Sequence, residues 1–121
     1  MSRDLLARLR AATVPDRELD EAIFLAFNPG FETRWPDKEP GYVWLPGVGS
    51  ENSRHLRVPR FTASIDAALA LVPEGWAWDV GSDNEALLWL PNRPENITGN
   101  GATPALALCI AAIQARETTN G

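Results

Sequence analysis

Pro104-Ala105-Leu106-Ala107-Leu108-Cys109-Ile110-Ala111-Ala112-Ile113-Gln114 is the stretch on which the fold turns. Thr103 before it is a helix N-cap and Pro104 suits the first helical position, where its missing N–H would have no partner anyway. Leu106, Cys109, Ile110 and Ile113 recur at helical spacing and form one stripe, while Leu108, Ala111 and Ala112 fill the remaining faces. No charge appears before Arg116. A helix that is apolar all round has to be covered all round. One small sheet covers a single side, so neighbouring helices or a second subunit must cover the other, and a homo-oligomer is expected. The run is only about half of the roughly 20 residues that cross a bilayer. The tail from Glu117 is polar and is expected to fray.

The segment before this helix, residues 91–102, is rich in Pro, Asn and Gly and reads as a loop. Ahead of it, Trp76, Trp78 and Val80 alternate with Ala77 and Asp79, the period of a strand with one apolar face. Gly81-Ser82-Asp83-Asn84 is turn chemistry, and the run from Ala86 to Leu90 reads as a second strand buried on both faces, so the pair forms a hairpin. Thr62-Ala63-Ser64 caps a helix whose buried face is Ile65, Ala68, Leu69 and Val72. Residues 28–60 are irregular, with Pro29, Pro36, Pro40, Pro46 and Pro59, and only Tyr42-Val43-Trp44-Leu45 is a strand candidate. At the N-terminal end, Ser2 caps a short helix with the stripe Leu5, Leu6 and Leu9. Pro15 opens a second helix carrying Leu19, Ala22, Ile23, Ala26 and Phe27, closed by Asn28-Pro29-Gly30. Asp16, Glu18, Asp20 and Glu21 crowd its first turns, where the helix dipole favours negative charge.

These elements make a layered α/β (α+β type) domain spanning 1–121: an α-β-α sandwich with a small, mostly antiparallel sheet and about four helices. The 121 residues, 45% of them hydrophobic, suffice to bury roughly two-thirds of the unfolded surface without disulfide or metal staples. The one cysteine, Cys109, cannot form an internal disulfide, and no CxxC or Cys/His cluster is present. No secretory signal is visible, and a reducing cytoplasm is the expected compartment. A net charge of −5 disfavours general binding to nucleic acid, which needs a basic face. Five tryptophans supply large flat rings, most of them for the core and one or two available as a stacking platform.

Three strings together resemble the phage ABA sandwich domain family: Pro15-Asp16-Arg17-Glu18-Leu19-Asp20, then Phe61-Thr62-Ala63-Ser64-Ile65-Asp66-Ala67-Ala68-Leu69-Ala70-Leu71-Val72-Pro73-Glu74-Gly75-Trp76, then Ala102-Thr103-Pro104-Ala105-Leu106-Ala107-Leu108-Cys109. The match covers about half of the chain, with Phe61 where the family more often has tyrosine. The resemblance implies a layered fold encoded by phages, prophages or their bacterial hosts, located in the host cytoplasm, and no established enzyme activity. One similar branch contains the anti-Thoeris sponges, which sequester cyclic ADP-ribose-type signals and in some members cyclic oligonucleotides. There, basic residues of the C-terminal helix contribute to the ligand site, whereas in this chain that helix is uncharged before Arg116.

Arg54-His55-Leu56-Arg57-Val58-Pro59-Arg60, followed by Phe61, gathers three arginines and the only histidine of an acidic chain. Guanidinium forks match phosphate oxygens, and Trp35, Trp44 or Phe61 offers a ring for a base. The bland alternative is a solvated basic loop that balances surface acids. Arg54, Arg57, Arg60, Phe61 and Trp44 are therefore the candidate ligand-binding residues. Gly99-Asn100-Gly101-Ala102-Thr103 leads into a helix N-terminus, but its spacing is neither a Walker loop nor a dinucleotide fingerprint, so a capped turn explains it. Cys109 reads as a buried inert thiol, Ser64 as an N-cap, and His55 lacks the partners of a general base. No cofactor, metal or catalytic residue is expected. The function expected is non-enzymatic capture of a small anionic nucleotide signal. The alternative is a structural or accessory phage protein acting through protein association.

Overall fold

The computed structural model describes residues 2–33, 40–45, 54–81 and 83–120. Along the chain these form α1 (Ser2–Ala11), α2 (Arg17–Phe27), β1 (Glu32–Thr33), β2 (Tyr42–Leu45), β3 (Arg54–Arg57), α3 (Ile65–Leu69), β4 (Ala77–Val80), β5 (Glu85–Trp89), β6 (Asn96–Asn100) and α4 (Pro104–Asn120). The strands make two antiparallel three-stranded sheets, ordered β1-β2-β3 and β4-β5-β6. The α+β class, with four helices and small antiparallel sheets, is as the sequence indicates, although two sheets stand where one is expected.

The 104–114 stretch is the larger part of α4, which Thr103 caps by accepting the Leu106 N–H at 3.2 Å. Every residue from Ala105 to Ile113 is buried, and so is Ala115. Burying a Leu or Ile completely stabilises by about 1.5–3 kcal/mol, and α4 supplies Leu106, Leu108, Ile110 and Ile113. The covering comes from the chain itself: β5 and β6 pack on one side, α1 and α3 on others. The expected homo-oligomer thus loses its ground, because this stretch of α4 leaves no apolar surface for a second subunit to cover. Neither does the helix fray at Glu117. It runs to Asn120, with the Arg116 guanidinium 4.5 Å from the Phe27 ring centre and its Nε donating to Leu71 O at 3.5 Å.

β6 falls within the segment expected to be loop. Its sequence, Asn-Ile-Thr-Gly-Asn, has little strand propensity, yet it pairs with β5 along its whole length. Cross-strand partners share a face, so Ala86, Leu88, Ile97 and Gly99 point toward α4. A Cβ on Gly99 would lie 2.8 Å from Ala111 N and against Ala107 O, and one on Gly101 would lie 2.8 Å from Ala107 N. The glycines of the Gly-Asn-Gly segment, with Ala107 and Ala111 one turn apart, let strand and helix backbones approach closely. Gly101 N–H donates to Asn84 O at 3.2 Å, and Asn84 itself sits at φ 62° to close the β4–β5 hairpin.

The opposite face of this sheet carries Asp79, Glu85, Asn96, Thr98 and Asn100, all exposed, around half-buried Leu87 and Trp89. β5 is therefore buried on one face and half-buried on the other, not buried on both. Trp78 shares the inner face with Leu88 but stands on the edge strand and remains 47% exposed.

α3 is shorter than expected. Ser64 caps it by accepting from Ala67 N–H, and bonds from Ala70, Leu71 and Val72 to the residues three before them tighten the chain at once. The tightened turn aligns Ala68 with Leu71, both buried, while Ile65 at the start of the helix is 38% exposed. No described helix is long and apolar enough to cross a membrane.

Gly99→Ala is expected to destabilise the fold by about 1–3 kcal/mol, since the added methyl meets helix backbone that cannot move aside as a side chain would. Urea unfolding measures it, and an unchanged midpoint would show that β6 does not press on α4 this closely.

Candidate functional site

The residues that hold the β1-β2-β3 sheet lie on α2. Asp16, not Pro15, starts that helix: its side chain accepts from the N–H groups of Glu18 and Leu19. The acids behind it divide sharply. Glu18 is exposed, but Asp20 and Glu21 are buried. Asp20 accepts from Thr62 N–H and Thr62 Oγ1, each at 2.8 Å, and from Arg17 Nη1 at 2.7 Å. Arg17 Nη2 then donates to Val58 O at 2.7 Å and Gly41 O at 3.1 Å, while Nη1 reaches Pro59 O at 3.3 Å. Glu21 Oε2 accepts Gly41 N–H at 2.7 Å, and its Oε1 is buried without a partner among the described residues. The helix-dipole reading of these acids explains Glu18 and falls short for Asp20 and Glu21, which with Arg17 fasten α2 to one end of the β2–β3 pair, where Gly41 and Val58 meet. Gly41 is needed at its position twice over: its φ is 108°, and a Cβ would lie 2.5 Å from the Arg17 guanidinium.

Arg54-His55-Leu56-Arg57 forms β3, a strand where a loop is expected. Tyr42 pairs with Arg57, Val43 with Leu56, Trp44 with His55 and Leu45 with Arg54, while Glu32 on β1 pairs with Trp44 from the other side. Val43 is fully buried, so the alternate positions face outward. That outward face carries exposed Tyr42, exposed Arg57, half-buried Trp44 and exposed Glu32. Arg60, three residues past β3, is exposed as well.

Of the five sequence-selected residues, Trp44 and Arg57 come together on one sheet face and Arg60 lies beside them in the chain. Phe61 does not join them. It is 4% exposed within the core, and its carbonyl accepts from Cys109 Sγ at 3.2 Å, so its ring is withdrawn from any surface site. For Arg54 and His55 the backbone pairing is described and the side chains are not. Trp35 lies outside the described residues. Sequence reasoning misses Tyr42 and Glu32, although the alternation Tyr42-Val43-Trp44 carries the signal: a valine bound for the core turns both flanking aromatics outward.

Cys109 is buried, and burial with the nearby Asp20 charge pushes its thiol up to about 12. It stays protonated at neutral pH and is no nucleophile. Among the described residues, no group of three or more His, Cys, Asp or Glu side chains is placed to hold a metal ion. Comparison of the chain with protein-family models, curated proteins and solved structures finds no match.

Asp20→Ala is expected to cost about 2 kcal/mol or more, since it strips the acceptor from the buried Thr62 N–H and the counter-charge from Arg17. Glu18→Ala, two residues away, should cost under about 1 kcal/mol because only the helix dipole is affected. Equal losses in denaturant unfolding would restore the simpler helix-dipole explanation of both acids.

Proposed function

We propose that this protein is a non-catalytic binding module that captures a small anionic ligand bearing an aromatic ring, on the outward face of the β1-β2-β3 sheet. One observation carries the reading: Tyr42 and Arg57 are cross-strand partners, with Trp44 two residues along the same face. Rings with a guanidinium beside them suit a nucleotide, because the base stacks while the fork takes phosphate oxygens. The overall charge of −5 makes this a local arrangement and not a surface for nucleic acid at large. In the setting that the family resemblance implies, a phage or prophage protein in the cytoplasm of a bacterial host, the ligand would be a nucleotide immune signal and its capture would be sequestration. No cofactor or catalytic residue is part of this reading.

A second reading, a structural or accessory phage protein that acts by association with protein or with itself, has the half-exposed Trp78 on edge strand β4 in its favour. Large exposed aromatics are frequent anchors of interfaces. Recovery of the protein in purified particles would support it.

A panel of linear and cyclic nucleotides in a thermal-shift assay tests the first reading. At least one nucleotide should raise the melting temperature, and Arg57→Ala should abolish the rise while leaving the unliganded melting temperature nearly unchanged, whereas Tyr42→Ala should abolish it and also lower the unliganded value, its ring being only 38% exposed. No rise with any nucleotide would remove the proposal.

A further inference from the structure

The outward face of the β1-β2-β3 sheet holds a carboxylate that phosphate binding does not require. Glu32 is exposed and sits directly opposite Trp44, on the strand farthest from Arg57. A negative charge beside a phosphate site weakens it, unless the carboxylate faces a different part of the ligand. The spacing allows that division. β1 and β3 are two strand separations apart with the aromatic strand β2 between them, and Arg57 stands in the Tyr42 row, two residues along from the Trp44 row of Glu32, so the two charges lie on a diagonal of roughly 12 Å. A nucleotide laid across the strands puts its base over Trp44 and Tyr42, its phosphate at Arg57, and the hydrogen-bonding edge of the base at Glu32.

An ionised carboxylate only accepts hydrogen bonds, through two oxygens side by side. It matches a base edge with two adjacent N–H donors. Guanine alone among the common bases presents such an edge, with N1–H next to its amino group. Adenine and cytosine each set a ring-nitrogen acceptor beside the amino group, and uracil flanks a single N–H with two carbonyls. In those three a carboxylate oxygen meets a lone pair. Resting on the nucleotide-binding reading above, we infer that the ligand is a guanine nucleotide, with Glu32 reading the base and Arg57 holding the phosphate.

Isothermal titration of the full chain with GMP, AMP, CMP and UMP tests this. GMP should bind at least tenfold more tightly than the other three. Glu32→Gln replaces one acceptor oxygen by an N–H₂ donor and should bring the GMP-to-AMP ratio close to one, while Glu32→Asp should keep a reduced preference. Glu18→Gln, an exposed acid on α2 remote from this face in the chain, should keep the full ratio. Binding of all four with similar affinity, unaffected at Glu32, would overturn the guanine assignment and leave nucleotide capture standing. No binding of any of the four would overturn the guanine assignment, and a thermal-shift panel equally silent would overturn both.

Discussion

An uncharged helix must be kept dry, and that constraint organises this chain. α4 presents apolar or small side chains in every direction from Ala105 to Ile113. A small protein has few ways to surround such a helix. In this fold the β4-β5-β6 sheet takes one side while α1 and α3 take others, so the helix is the middle layer. The composition of α4 suits this position. Its larger residues, Leu106, Leu108, Ile110 and Ile113, fill space between layers, while Ala107 and Ala111 make room for the backbone of β6 at Gly99 and Gly101. Close packing on all sides makes the helix intolerant of added volume as well as of lost volume.

The second sheet is held differently. Val43 of β2 is buried in the common core, and polar bonds from α2 fix the end of the sheet at Gly41 and Val58. Arg17 gathers the carbonyls of Gly41, Val58 and Pro59, Asp20 neutralises Arg17 and anchors Thr62, and Glu21 takes the Gly41 amide. A buried ion pair contributes little net stability, but removing one member is costly, so such groups define a geometry more than they strengthen it. The geometry defined is the position of β2 and β3, and with it the face that carries Tyr42, Trp44 and Arg57. Thr62 also ties this fastening to the core, since the carbonyl of the adjacent Phe61 accepts from Cys109 Sγ.

Much of the body was legible in the sequence because its elements are strongly periodic. The stripe of α1, the apolar run of α4, and the β4–β5 hairpin with its turn all follow from spacing alone. Polar strands were not legible. β6 and β3 have too few apolar residues to show a period of two, and their pairing is supplied by neighbours: β5 for one, β2 for the other. The buried role of Asp20 and Glu21 was equally hidden, because their partners at Thr62 and Gly41 lie 42 and 20 residues away and nothing local distinguishes them from Glu18. The candidate site was half legible. An arginine-rich run beside aromatics pointed to the segment that forms β3, but only the register showed that Arg57 faces Tyr42 and that Glu32 belongs to the same face, and only burial showed that Phe61 belongs to the core.

Native-state hydrogen exchange at several protein concentrations tests the enclosure of α4 most directly. Amides of α4 from Ala107 to Ala115 should exchange most slowly in the molecule, through global unfolding alone, and their protection should not change when the protein is diluted. Fast exchange along this segment, or protection that fades on dilution, would mean that the chain does not enclose the helix by itself, and the layered arrangement around α4 would have to be abandoned.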